Sequence, residues 1–240
     1  VHFGTGALAL DLEPGRGLSV AIENPSRIDG LFIERAMVKA SDKLAVLSAE
    51  APINSPVMTD GAAFFQLQEE IRSAFECTVV DLPRTMLVNY PHLITDVQVA
   101  VLVTELTLAA ARDAIRILSW FKSNAPHTRM IVVANRVPAG GQLEISRKDF
   151  EGSIERKIDY LIPYDPKTAV QAAKLGKPLA EAGKGVKGLS PLAEIAERVV
   201  AYTDSAEDAK GKGAKGDAGK GGSLLGKLSS LSIKLPSKKK

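Results

Sequence analysis

One cysteine, three histidines and one tryptophan are all that 240 residues contain of those types. The lone Cys77 excludes an internal disulfide framework and fits a reducing compartment, so the cytoplasm is the expected location. His2, His92 and His127 lie far apart, without the spacing of a zinc site. Ser48, Ser119 and Cys77 have no matching His/Asp arrangement, which leaves nucleophilic catalysis without support. The longest apolar run, VQVAVLV (97–103), is far too short to cross a bilayer. The start, VHFGTGALAL, lacks an initiator methionine, a basic n-region and a cleavage site, as expected of a fragment without a signal peptide.

A phosphate loop is also lacking. Such a loop needs glycines whose N–H groups wrap phosphate, then Lys and Ser/Thr to hold charge and Mg²⁺. Five Gly-Lys pairs occur, at 176, 183, 211, 219 and 226, and none is followed by Ser or Thr. The pattern Gly-x-Gly-x-x-Gly appears as GKGVKG (183–188) and GKGAKG (211–216), but neither follows a predicted strand. Both are expected to be loop.

Charge is present but divided. From Ala206 onward there are nine lysines and three acids, while the rest holds 22 basic and 25 acidic residues. A body at −3 thus carries a tail at +6. The pI of 8.9 describes the tail, and the body lacks the basic footprint of a nucleic-acid binder.

Apolar runs of strand length alternate with helical patterns, which predicts an α/β fold with a mostly parallel sheet. The candidate strands are LAVLS (44–48), TVVDL (78–82), VQVAVLVT (97–104), RMIVVAN (129–135) and IDYLI (158–162). They are continuously apolar, the pattern of strands covered by helices on both faces. Helices are predicted over 62–75, 107–123 and 191–203, the last with Ser190 as N-cap and Pro191 at N1. Three parts follow: an α/β domain over 1–204, a Gly/Lys-rich disordered linker over 205–222 and a basic amphipathic segment over 223–240.

Strand ends carry the candidate chemistry. Asp81 closes TVVDL, and a lone carboxylate at the end of a buried strand needs a cation or donors. The alternative is a turn aspartate before Pro83. Asn135 and Arg136 close another strand, where an amide pairs with a base edge and a guanidinium stacks on its ring. The alternative there is an ordinary strand-to-loop turn. Tyr164 and Asp165 sit in a proline-flanked loop that is either a contact to base and ribose or a rigid turn capped by Asp165. Thr104 and Glu105 read equally as a strand end or an ordinary helix start. Trp120 and Phe121 read as core.

The order of these stretches resembles the CpaE/TadZ pilus-assembly proteins of the MinD/ParA deviant-Walker group. GTGALALDLEPGRGLSVAIENPSRID (4–29) resembles the segment after that family's second strand, and TVVDLPR (78–84) its Walker B strand and the start of switch II. LVTELTLAAARDAIRIL (102–118), VVANRVP (132–138) and IPYDPKTAVQAAKLGKPLAE (162–181) are similar to the strand, adenine-side and closing elements that follow. The resemblance implies ATP and Mg²⁺ as cofactors, with Asp81 toward the metal. It places Asn135, Arg136, Tyr164 and Asp165 at the nucleotide, and Pro83 and Arg84 at a switch. It further implies a homodimer that works with the pilus secretion machinery, often at a cell pole. The family's first strand and phosphate loop would precede residue 1, so this chain is expected to show no ATPase activity and to have apolar sheet edges uncovered. The rival expectation is a non-catalytic scaffold that binds partners through the old nucleotide face.

In the tail, Leu224, Leu225, Leu228, Leu231 and Leu235 share one helical face beside Lys227, Lys234 and Lys238–Lys240. This pattern fits folding on an anionic membrane, here the inner-membrane surface. A partner-docking helix or a disordered tail are the alternatives, and Gly226 with four serines weakens the helix.

Overall fold

The computed structural model describes residues 4–54, 61–94, 96–140 and 143–211, with side chains to Tyr202. The chain divides into two units, Val1–Thr203 and Asp204–Lys240. The five tail leucines lie outside the described residues.

The expected α/β class holds. β3 (Val99–Thr104), β4 (Arg129–Val137) and β5 (Tyr160–Pro163) form a parallel sheet in the order β3-β4-β5. Residues 131–134 of β4 are at most 3% exposed, because side chains of both parities are covered. Val132 and Ala134 pack on one side with Ala111, Ala114, Phe150 and Ile154, from α5 (Leu108–Asn124), α6 (Arg147–Ser153) and the residue after α6. Ile131 and Val133 pack on the other with Leu189, Leu192, Ile195 and Val199. Most of these belong to α9 (Pro191–Gly211). Two-sided burial explains why β4 reads as a continuous apolar run.

Capping sets the helix starts. Thr107 Oγ1 accepts the N–H of Ala110 at 3.1 Å and opens α5. Asp165 caps α7 (Pro166–Leu175), with Pro166 at N1, and Gly176 ends it in the left-handed region at φ 58°. A short α8 (Leu179–Ala182) precedes α9. Ser190 stands before Pro191 as expected and its carbonyl accepts the Glu194 N–H at 3.3 Å, but its hydroxyl donates back to the Lys187 carbonyl at 3.1 Å instead of capping α9. Nor does α9 stop at Thr203. It runs to Gly211 through Ala, Glu and Lys, good helix formers, into residues expected to be linker. Arg198 ties α9 to the sheet, reaching Asp159 at 2.9 Å and donating to the Tyr202 hydroxyl at 2.9 Å.

Three helices ahead of the parallel sheet form a second packing centre. α1 (Gly17–Glu23), α2 (Gly30–Ala36) and α3 (Ala62–Ala74) bury Ala21, Ile33, Ala63 and Leu67 together. Two sequence expectations are corrected here. LAVLS does not join the parallel sheet, because Leu44–Val46 is β2 of a hairpin with β1 (Val38–Ser41), closed through Asp42 and Lys43. That two-residue connection can only return the chain antiparallel. TVVDL is not a strand at all. Residues 76–82 are coil, and the 76–82 backbone makes no hydrogen bond among the described residues. With no neighbouring strand to pair with, an apolar sequence is insufficient to make one. The chain then enters α4 (Arg84–Asn89).

Candidate functional site

Ligands in open α/β sheets bind beyond the carboxyl ends of the strands. At the ends of β4 and β5 the structure places a cavity of about 200 Å³, lined by Asn135, Arg136, Pro163, Tyr164, Asp165, Ala169, Leu179 and Leu189. Four residues singled out from sequence, from two segments nearly thirty residues apart, thus share one concavity. Its walls are part apolar, from Pro163, Leu179 and Leu189, and part polar, which suits a flat heteroaromatic ring with a few hydrogen-bonding edges.

Each polar group is already oriented. The Arg136 N–H donates to Asn135 Oδ1 at 2.9 Å, and Arg136 holds φ at 53°. A non-glycine residue in the left-handed region is uncommon and marks a backbone held by its surroundings. The Asn135 Nδ2 group and one oxygen lone pair remain for a ligand. Arg136 Nη1 meets Glu105 Oε1 at 3.4 Å, so the end of β3 restrains the guanidinium. The Tyr164 N–H donates to the Val137 carbonyl at 2.8 Å, which fixes the loop while the ring stays exposed.

Asp165 is engaged with its own helix. Its Oδ1 accepts the N–H of Thr168 at 3.0 Å and its Oδ2 the Thr168 hydroxyl at 2.6 Å. The hydroxyl first and the N–H second hold the carboxyl below the ordinary aspartate range. Geometry therefore gives Asp165 the capping role, with any ligand contact added to it.

The remaining candidates lie elsewhere. Asp81 is exposed in the coil at 76–82, so the buried strand meant to deliver it to a metal is absent. Pro83 is the N-cap residue of α4, and the Arg84 guanidinium is tied to Asp113 of α5. Thr104 is buried at the end of β3. Among the described residues no three His, Cys, Asp or Glu side chains gather to hold a metal. Glu105 is the residue beside the site that sequence reading left open between a strand end and an ordinary helix start. Its partner Arg136 stands 31 positions away, and no local pattern announces such a pair. The GKGVKG stretch follows α8 rather than a strand, and its Gly183 and Gly185 border a largely apolar cavity of about 240 Å³.

No protein-family model matches this sequence, and no curated protein does. Solved structures do. A ParA family ATPase from Chlorobium tepidum matches with a TM-score of 0.66 at 18% identity, over 85% of this chain and 81% of that one. The MinD cell division protein of Aquifex aeolicus matches at 0.50 and 19%, over 91% of this chain and 96% of that one. The chain has the MinD/ParA-like P-loop NTPase fold. The cavity at the ends of β4 and β5 offers a ligand the Asn135 amide and the exposed Tyr164 ring. Triphosphate and Mg²⁺ do not fit the residues present: no Gly-Lys-Ser/Thr exists in the 240 residues, and Asp81 stands in exposed coil.

Proposed function

We propose that this chain is part of a CpaE/TadZ-type positioning factor for Flp/Tad pilus assembly, whose MinD/ParA-like body holds the base and ribose of ATP. The single observation that carries the nucleotide reading is the convergence of Asn135, Arg136, Tyr164 and Asp165 on one cavity at the strand ends. Assignment to pilus assembly is supported by the order of DLPR (81–84), NRVP (135–138) and IPYD (162–165) along the chain. By this reading the protein dimerises through its nucleotide face and acts with the pilus secretion machinery at the inner membrane or a cell pole. Leu224, Leu225, Leu228, Leu231 and Leu235 are its membrane contact, in keeping with a chain in which no described helix is long and apolar enough to span a bilayer. Asp81, Pro83 and Arg84 are assigned to the Mg²⁺ and switch side, and engage only when a phosphate loop faces them.

Adenosine and ATP titrated calorimetrically into the 240-residue chain test the nucleotide reading. Comparable binding of the two, lost in Asn135→Ala, is the expected result, because no residue here grips the phosphates. No ATP turnover is expected. Binding of ATP far tighter than adenosine, or any sustained hydrolysis, sinks this assignment. Deleting the gene in its source organism tests the biological role: surface pili should be lost or misplaced.

A second reading has its own support. Asp165 is occupied as a helix cap and Arg136 as the partner of Glu105, so the cavity is self-consistent without a ligand. A non-catalytic scaffold would fold stably and show no thermal shift with any nucleotide.

A further inference from the structure

None of residues 183–188 lines the cavity at the strand ends, yet 183–187 form one side of the second cavity, of about 240 Å³. Ala180 of α8 and Leu192 and Ala193 of α9 form its other side. The two cavities share only Leu189. Leu189 and Gly183 are buried and make the floor, so closely packed that a Cβ added at Gly183 would collide with the Leu189 side chain. Residues 184–187 are exposed and make the open rim. That rim is cationic. Among the described residues neither Lys184 nor Lys187 has a carboxylate partner, and no acid lines the cavity. Glu181 nearby is taken by Lys177 at 2.6 Å. The N–H groups of Gly185 and Lys187 also donate no hydrogen bond among the described residues.

We infer that this cavity binds a free medium-chain aliphatic carboxylate, with its chain on Leu189, Leu192, Ala180 and Ala193 and its head at Lys184 and Lys187. Each property of the ligand follows from a wall. The inner walls are apolar side chains, so the part that enters is hydrocarbon, and a polar group there would lose water without gaining a partner. No aromatic residue lines the cavity, so a ring gains no stacking contact. Two lysines and two undonated N–H groups, with no acid among them, match one anionic head, whose charge strengthens each hydrogen bond it accepts. The volume lies below the roughly 300 Å³ at which drug-sized sites begin. It admits one chain and excludes a two-chain lipid. A nucleoside is the wrong occupant here, because the inner walls present no hydrogen-bonding side chain comparable to Asn135.

The test titrates the full 240-residue chain with octanoate, octanol and octylammonium, each below its micelle concentration, followed by calorimetry and by the methyl resonances of Leu189 and Leu192. Octanoate should bind saturably, one per chain, and shift both leucines. Octanol should bind several-fold more weakly, and octylammonium more weakly still. Affinity should rise about fourfold for each methylene from hexanoate to octanoate, as for burial of a CH₂ group. Ala193→Trp and Ala180→Trp each fill the cavity from an exposed position and should abolish binding, while an unfolding midpoint near that of wild type reports an intact fold. Lys184→Gln combined with Lys187→Gln should weaken octanoate several-fold and remove its salt dependence, leaving octanol unchanged. Undiminished octanoate binding in the two tryptophan variants would place the ligand elsewhere, the lysine-rich tail included, and overturn the inference. So would unmoved leucine resonances, octanol binding as tightly as octanoate, or octylammonium binding more tightly than either. No nucleotide enters these measurements, so their failure is distinct from failure of the nucleotide reading.

Discussion

Glu105 at the end of β3 and Arg136 at the end of β4 meet at 3.4 Å beside the mouth of the cavity. Both side chains are about half exposed or more, and such pairs contribute at most about 1 kcal/mol in water. The pair is better placed to restrain than to stabilise. Glu105→Gln should leave the unfolding midpoint almost unchanged and free the guanidinium for a ligand. The expected result is a few-fold tighter binding of AMP relative to adenosine, fading as salt is raised. Calorimetry of both ligands at two salt concentrations checks this. A large stability loss, or no change in the AMP-to-adenosine ratio, would show that the pair is structural.

Asp165 offers the converse case, a residue whose structural role is on view. Removing its oxygens in Asp165→Ala uncaps α7 and should lower the unfolding midpoint by a few degrees. Asp165→Asn keeps an acceptor and should lose much less. If the asparagine variant binds adenosine normally, the carboxylate serves the helix alone. A drop in affinity at unchanged stability would assign it to the ribose as well.

What was legible in the sequence and what was not divides by the range of the interaction. β4 and α5 could be read because their signals are local: a run of apolar residues buried on both sides, and Thr107 ahead of a helical stripe. Asp165 was open between cap and ligand contact, and the two bonds to Thr168 decide its first duty. Asp81 misled for a different reason. A strand exists only with a neighbour, and TVVDL carries the composition without the neighbour. The hairpin of Val38–Val46 was hidden because residues 44–48 are as apolar as a buried parallel strand, and only the short connection through Asp42 sets its direction. Cavity residues Leu179 and Leu189 come from beyond β5, brought in by packing that no spacing rule encodes.

Acid should weaken this fold through a carboxylate far from the cavity. Glu151, 8% exposed, accepts from Lys157 Nζ at 2.8 Å, the Ile158 N–H at 3.1 Å and Arg147 Nε at 2.9 Å. Those donors, Lys157 foremost, lower its carboxyl from 4.5 to about 2. A carboxyl depressed in the folded state contributes stability that is fully present above its unfolded value, here about 4.5, and is lost as pH falls toward 2. Denaturant midpoints measured from pH 6 to pH 2 should therefore fall steeply below 4.5. Glu151→Gln should lower the midpoint at pH 6 and flatten the decline. Part of the slope should survive, because Asp165 is shifted in the same direction. An identical pH profile in wild type and Glu151→Gln would show that the three-donor cradle does not persist in solution.

Gly176 separates backbone strain from steric contact. It ends α7 at φ 58°, and a Cβ added there would collide with Cβ of Asp11, from the N-terminal segment packed against this helix end. Gly140 also has positive φ, at 77°, but nothing lies within 4 Å of the added Cβ. Gly140→Ala therefore meets only the left-handed penalty, about 1 kcal/mol. Gly176→Ala meets the same penalty and must displace Asp11 as well, for a further 1 kcal/mol or more, roughly the cost of overpacking. Chemical denaturation of the two variants should show Gly176→Ala clearly the less stable. Adding Asp11→Gly to Gly176→Ala should recover the steric part and leave the backbone part. Equal destabilisation by the two alanines would mean that the N-terminal segment gives way freely, and that its packing against α7 contributes little to the fold.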